Sequence, residues 1–320
     1  MKMDKRALPM IIGPTASGKT ALSIAVAKKL GAEIVSADSI QIYKGLDIGS
    51  AKPNEKERLA VRHHLIDAID ITNAEFSVAE FRRMADLCIE DIRFRGKIPL
   101  IVGGTGLYIN SLAYPLNFTQ TGADKQLRED LQRQDEANPG ILYETLKGVD
   151  PRSYERLHKN DRKRIIRALE VYYRTGRALS DYGDDFSNSS GLECIYSPII
   201  AGLTMPRELL YQRINARVDE MLNRGLVKEV KALLGYERSL PALQGLGYKQ
   251  ILAYLHGECS LVDAVEDIKR NTRRFAKRQI TWFKRDKRIS WFDITEYESN
   301  ESLADRVTEF LQSKLYVEES

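Results

Sequence analysis

Apolar residues in the first third of the chain fall into short unbroken runs. Each run is followed by a glycine-rich or polar break and then by a stretch of helical period. Ala7-Leu8-Pro9-Met10-Ile11-Ile12 is the first. Runs of this length and continuity mark strands buried on both faces. Residues 21–30 continue with helical spacing, closed by Gly31 as a C-terminal cap. Glu33-Ile34-Val35-Ser36 predicts a second strand ending at Asp38, and His64-Leu65-Ile66-Asp67 a short third. Residues 41–53 between them read as loop, broken by Gly45, Gly49 and Pro53. Residues 77–95 predict a helix, because Val78, Phe81, Ala85, Cys88 and Ile92 recur at its period. Ser77 and Glu80 fit a capping box at its start, and Gly96 ends it. Ile98-Pro99-Leu100-Ile101-Val102 then runs as a strand into Gly103-Gly104-Thr105-Gly106. Strands alternating with helices imply an α/β fold with a doubly wound parallel sheet. Ligands on such sheets sit at the carboxyl ends of the strands. Gly13, Asp38 and Thr105 each follow a strand, so the three are expected to line one crevice.

The texture changes near Pro115. Strand signals vanish up to residue 190, and charged helical segments replace them. Residues 160–175 carry Ile165, Leu169 and Tyr172 on one face, with basic residues elsewhere. The stretch from Tyr182 to Gly191 is polar and turn-rich, and a mobile loop is expected there. Residues 195–203 read as one more strand, and everything after them as helix. This divides the chain into a core, 1–114 and 196–320, and a helical insertion, 115–195. A length of 320 residues fits two domains.

Composition adds little to this picture. With 43% hydrophobic and 29% charged residues, the chain matches a globular protein with a sizeable core. No apolar run approaches the roughly 18 residues of a membrane helix, and the charged N-terminus has no signal-peptide pattern. Cys88, Cys194 and Cys259 show no metal or redox spacing. A reducing cytoplasm is therefore the expected location.

The chemistry begins at Gly13-Pro14-Thr15-Ala16-Ser17-Gly18-Lys19-Thr20, which matches the phosphate-cradling pattern G-x-x-x-x-G-K-[ST]. Strand, loop and helix in that order aim backbone N–H groups at an oxyanion. Lys19 adds a point charge, and Thr20 a hydroxyl for Mg²⁺. The loop specifies a polyphosphate without specifying ATP. Asp38 lies opposite it, either as a partner of the metal or as a general base; position alone leaves both open. Nothing resembles a carboxylate-rich diphosphate motif, so a diphosphate would have to be held by this loop.

Net charge is only +4, but the basic residues are clustered. Lys269, Arg270, Arg273, Arg274, Lys277, Arg278, Lys284, Arg285, Lys287 and Arg288 are opposed in their segment only by Asp286. Positions 270, 274, 277 and 278 share one helical face, with Ile268, Thr272, Phe275 and Trp282 on the other. Lys159, Arg162, Lys163, Arg164 and Arg167 form a second cluster in the insertion. A solvated face is the ordinary meaning of a charge run. The near-pure sign and the near-neutral remainder point instead to a nucleic acid gripped through phosphates and an exposed single-stranded base.

Several motifs together resemble the tRNA dimethylallyltransferase family. They are the phosphate loop, the block from Ser36-Ala37-Asp38 to Ala51-Lys52-Pro53, Phe81-Arg82-Arg83, Gly103 to Tyr108, Asn160-Asp161 with Arg164, Arg167 to Val171, Arg213 to Leu222, Gly245 to Gln250, and Lys277 to Phe283. The resemblance runs in order along nearly the whole chain. Ile40 and Ser50 stand where other residues are common, away from the proposed chemistry.

The resemblance implies a phosphate-loop NTPase-like core. It also implies transfer of a dimethylallyl group from dimethylallyl diphosphate to N6 of the adenosine beside the anticodon of tRNA, with Mg²⁺ assisting. It assigns Asp38 as base, Arg217 to the diphosphate, and Thr105 near the reacting adenine and diphosphate. Residues 13–20 would bind the diphosphate. Ser39, Ile40 and Gln41 would contact the extruded adenosine and its neighbours. Arg128, the run Lys163, Arg164, Ile165, Ile166 and Arg167, and Lys277 with Arg278 are implied tRNA contacts. One copy suffices to close on one RNA, so a monomer is expected. The competing readings are an adenylate prenyltransferase, which has no need of the basic insertion, a small-molecule kinase that turns over ATP, and a nucleotide-gated RNA-binding protein without catalysis.

Overall fold

The structure is a computed structural model and describes residues 2–3, 6–115, 124–182 and 195–317. Its elements cluster into two compact units, one of residues 1–113 and 195–320 and one of residues 114–194.

The first unit is built on a six-stranded sheet. The chain enters through β1 (Lys2–Met3), β2 (Ala7–Ile12), α1 (Lys19–Leu30), β3 (Ala32–Ala37), α2 (Glu55–Ala60), β4 (His63–His64), α3 (Val78–Phe94), β5 (Ile98–Gly103) and α4 (Gly106–Ala113). The second unit contributes α5 (Lys125–Ala137), α6 (Ile141–Val149), α7 (Pro151–Arg156) and α8 (Arg162–Thr175). The first unit resumes with β6 (Ser197–Thr204), α9 (Arg207–Asn223), α10 (Leu226–Lys231), α11 (Tyr248–Leu255), α12 (Leu261–Phe283), β7 (Ser290–Asp293), α13 (Asn300–Leu315) and β8 (Tyr316–Val317). The sheet order is β4-β3-β5-β2-β6-β7, with every pairing parallel. β1 and β8 form a separate antiparallel pair.

Burial explains the unbroken apolar runs. Every residue of β2 and β3 is buried, as expected of parallel strands covered on both faces. The chain moves one way across the sheet from β2 to β3 and the opposite way from β4 to β5. Right-handed crossovers therefore put α1 and α3 on opposite faces. Ile11, Ile34 and Leu100 share a core with Leu22 and Val26 of α1 and with Leu303, Val307 and Leu311 of α13.

Four details differ from the sequence reading. The third strand is only His63–His64, because Leu65 and Asp67 carry φ of 59° and 54°, which no strand adopts. Ser77 caps α3 through the Glu80 N–H, but the Glu80 carboxylate is drawn to Arg83, so the box is half formed. The segment after β6 is not wholly helical, since β7 joins the sheet edge with Phe292 turned inward. The inner seam of α12 runs through Ile268, Ala276, Gln279 and Phe283, while Phe275 and Trp282 are only half-buried. The polar stretch after Tyr182, with Asp184, Asp185 and Cys194, lies outside the described residues.

In the second unit, Leu131, Leu142, Leu146, Ile165, Ala168 and Leu169 form a core of their own. Within it Glu170 is fully buried and collects the guanidinium groups of Arg128 and Arg167 together with the Asp124 N–H.

Candidate active site

The phosphate loop joins β2 to α1. Ala16 at φ 63° and Gly18 at φ 88° are both left-handed, which turns successive N–H groups into a concave nest. The Lys19 ammonium folds back over it and donates to the carbonyls of Gly13 at 3.0 Å and Pro14 at 2.7 Å. Burial, reinforced by the positive charge of Arg217, lowers the Lys19 pKa to about 7, although Asp38 pulls the other way. Burial likewise lowers that of Arg217, again opposed by Asp38. No hydrogen bond or ion pair joins the Arg217 guanidinium to another described residue. Two cations and one carboxylate thus face a common space.

Asp38 opens the loop after β3. Its Oδ1 accepts the N–H groups of Ile40 at 2.9 Å and Gln41 at 3.2 Å. No described residue donates to Oδ2, which leaves that oxygen available to an incoming proton. Thr105 follows β5, and its Oγ1 accepts the Ser39 N–H at 3.0 Å. Gly103 allows this approach, because a Cβ there would lie 2.2 Å from the Ala37 carbonyl oxygen. Lys19, Thr20, Asp38, Gln41 and Gly103 line a single crevice at the carboxyl ends of the strands. The structure therefore brings together the phosphate loop, Asp38, Thr105 and Arg217, which lie up to two hundred positions apart in sequence.

The other predicted contacts divide into groups. Lys163, Arg164, Lys277 and Arg278 are exposed. Ile165 is a core residue of the second unit, so its side chain has no surface to offer an RNA; Ile166 packs at the edge of that core. Arg128 and Arg167 are half-exposed but are bound to Glu170. The Gln41 amide donates to the carbonyls of Ser50 and Ala51. It braces the loop from within.

Two further residues hold the site: Glu229 lies outside every sequence motif, and Gln279 lies within the Lys277 to Phe283 motif but has no role assigned by it. Glu229 on α10 accepts the N–H groups of Asp47, Ile48 and Gly49 and the hydroxyl of Tyr248. It holds the far end of the loop that begins at Asp38. Gln279 of α12 bonds the phosphate loop itself. An isolated polar residue in an amphipathic helix reads as surface, and only the fold brings these two to the loops they hold.

No cluster of three metal-ligating His, Cys, Asp or Glu side chains occurs among the described residues. The donors present are the Thr20 hydroxyl and Asp38, which fits a cation that arrives with phosphate oxygens rather than one caged by protein.

Fold and crevice define a phosphate-loop α/β core in which Lys19, Arg217 and the Asp38 carboxylate face one crevice. A family model described as IPP transferase matches residues 41–286. The tRNA dimethylallyltransferase of Caldanaerobacter subterraneus subsp. tengcongensis is 49% identical over 310 residues, spanning 96% of this chain and 98% of its own length. That of Acetivibrio thermocellus is 48% identical over 305 residues, spanning 94% and 96%. The crystal structure of the full-length tRNA isopentenylpyrophosphate transferase from Bacillus halodurans superposes with a TM-score of 0.70 at 38% identity, covering 97% of this chain and 98% of that one. A eukaryotic dimethylallyltransferase acting on tRNA superposes with a TM-score of 0.78 at 30% identity, covering 98% and 81%. The chain belongs to the IPP transferase family.

Proposed function

We infer that this protein transfers the dimethylallyl group of dimethylallyl diphosphate to N6 of the adenosine on the 3′ side of a tRNA anticodon, releasing diphosphate. The observation that carries this reading is the pairing of an unengaged carboxylate oxygen on Asp38 with a two-cation phosphate cradle across one crevice. The exocyclic amine is a poor nucleophile, because its lone pair is delocalised into the purine. As its nitrogen bonds to the allylic carbon, Asp38 Oδ2 takes the amine proton. The C–O bond to diphosphate breaks, and the electron pair leaves on oxygen. The loop N–H groups, Lys19 and Arg217 stabilise that charge where it develops. Thr105 fixes the Asp38–Ser39 segment. The Thr20 hydroxyl would hold Mg²⁺ arriving with the diphosphate, and the ion would further neutralise the leaving group.

The target base must leave its stack to reach such a crevice. Ser39 and Ile40 are assigned to its surroundings, and Gln41 to the loop that carries them. Lys277, Arg278, Lys163 and Arg164 are assigned to tRNA phosphates, and the residue 115–195 insertion to the anticodon stem-loop. A monomer in the cytoplasm fits this role, and no described helix is long and apolar enough to cross a membrane. Incubation with labelled dimethylallyl diphosphate, Mg²⁺ and unmodified tRNA, with AMP as alternative acceptor, tests the reading. Label in tRNA supports it, whereas label in AMP alone overturns it.

A further inference from the structure

The side chain of Gln279 is nearly enclosed, with 7% of its surface exposed. Both ends of its amide are engaged. Oε1 accepts the Thr15 N–H at 2.9 Å, and Nε2 donates to the Gly104 carbonyl at 2.8 Å. Thr15 belongs to the phosphate loop. Gly104 immediately precedes Thr105, whose hydroxyl holds the backbone next to Asp38. One planar amide therefore spans the two halves of the crevice, the cradle for the leaving group and the loop beside the base. The approach requires a glycine, because a Cβ at position 104 would stand 2.5 Å from Gln279 Nε2. Neither bond belongs to a helix or strand ladder, and the residues they join are 264 and 175 positions apart.

We propose that Gln279 is a positioning residue for the transfer reaction. It sets the spacing between the phosphate loop and the Gly104–Thr105 turn, and so aligns the departing diphosphate with Asp38. This rests on the function proposed above. Such an alignment is sensitive, since a displacement of about 1 Å at a reacting centre costs roughly 100-fold in rate. Glutamine suits the role because a single uncharged group is donor and acceptor at once. A carboxylate would face the Gly104 carbonyl with like polarity, and an aliphatic side chain would leave both backbone groups without partners.

The test compares the wild type, Gln279→Met, Gly104→Ala and the double variant. Methionine keeps the volume and loses both bonds; alanine at 104 disturbs the same tie from the other side. The expected result for each single variant is a kcat lower by about 10- to 100-fold, with tRNA affinity within about twofold of wild type. Binding of inorganic diphosphate with Mg²⁺ should weaken in parallel. The double variant should be little worse than the poorer single one, since both break one interaction. Unchanged kcat and diphosphate binding in Gln279→Met, equal losses of kcat and tRNA affinity, or additive losses in the double variant would overturn the proposal. Failure of wild-type protein to label any tRNA would instead remove the proposed function, and the diphosphate titrations would then decide the role of Gln279 by themselves.

Discussion

At the scale of single residues, the site depends on charges gathered at one half-buried crevice. With Asp38 as the proposed base, Asp38→Asn should lower kcat by about 100- to 10,000-fold and leave tRNA affinity nearly unchanged. Rapid-quench turnover and a binding titration check this together, and equal losses in both would make Asp38 structural. Lys19 gives a pH-dependent signature. Its pKa of about 7 reflects burial and the nearby Arg217. A bound diphosphate favours the ammonium and raises that value. Between the free and bound values, binding takes up a proton, so diphosphate affinity should fall as pH rises above about 7. Calorimetry at pH 8 in buffers of different ionisation heat should register uptake approaching one proton beyond that of Lys19→Met. The phosphate loop was legible in the sequence because its chemistry requires glycine, lysine and hydroxyl at fixed spacing. The commitments of Arg128 and Arg167 to Glu170 were not, since a basic residue looks the same in sequence whether it meets an RNA or a buried carboxylate.

At the scale of elements, the long loop after β3 is the least regular part of the site and the most heavily tied. Glu229 on α10 caps three successive N–H groups within it. Lys52, itself buried, bonds the Tyr43 carbonyl and the Asp47 carboxylate. Glu229→Ala strands several donors, and should cost about 2–3 kcal/mol of stability by denaturant titration. Faster amide exchange at residues 47–49 than in the rest of the first unit would localise the effect; uniform exchange would contradict it. β2, β3 and β5 could be read directly because burial on both faces forces continuous apolar runs. β7 could not, because four residues beside a dense basic run carry too little pattern. The strand after residue 62 is shorter than its apolar pattern predicts, because the positive φ of Leu65 and Asp67 leaves no trace in their side-chain types.

At the scale of the whole molecule, the proposed binding of tRNA rests on the exposed basic residues. Lys277 and Arg278 are exposed on α12. If each neutralises one phosphate, replacing both with alanine should reduce the slope of log affinity against log salt by nearly 2 and leave kcat at saturating tRNA close to wild type. An unchanged slope would place the RNA elsewhere. Arg128→Ala should behave differently. It removes a partner of a buried carboxylate and should lower the stability of the second unit, which thermal unfolding would register. The sequence carries two basic clusters, and the structure divides them into exposed cations and internal ties.

The central claim is that the phosphate loop holds a leaving diphosphate while Asp38 deprotonates an adenine amine. The most direct measurement is identification of the modified nucleoside, by digestion and mass spectrometry of tRNA after incubation with dimethylallyl diphosphate, in parallel with an ATP control. The predicted result is one dimethylallyl group on N6 of the adenosine following the anticodon, with ATP left intact. Phosphate release from ATP without any prenylated adenosine would contradict it.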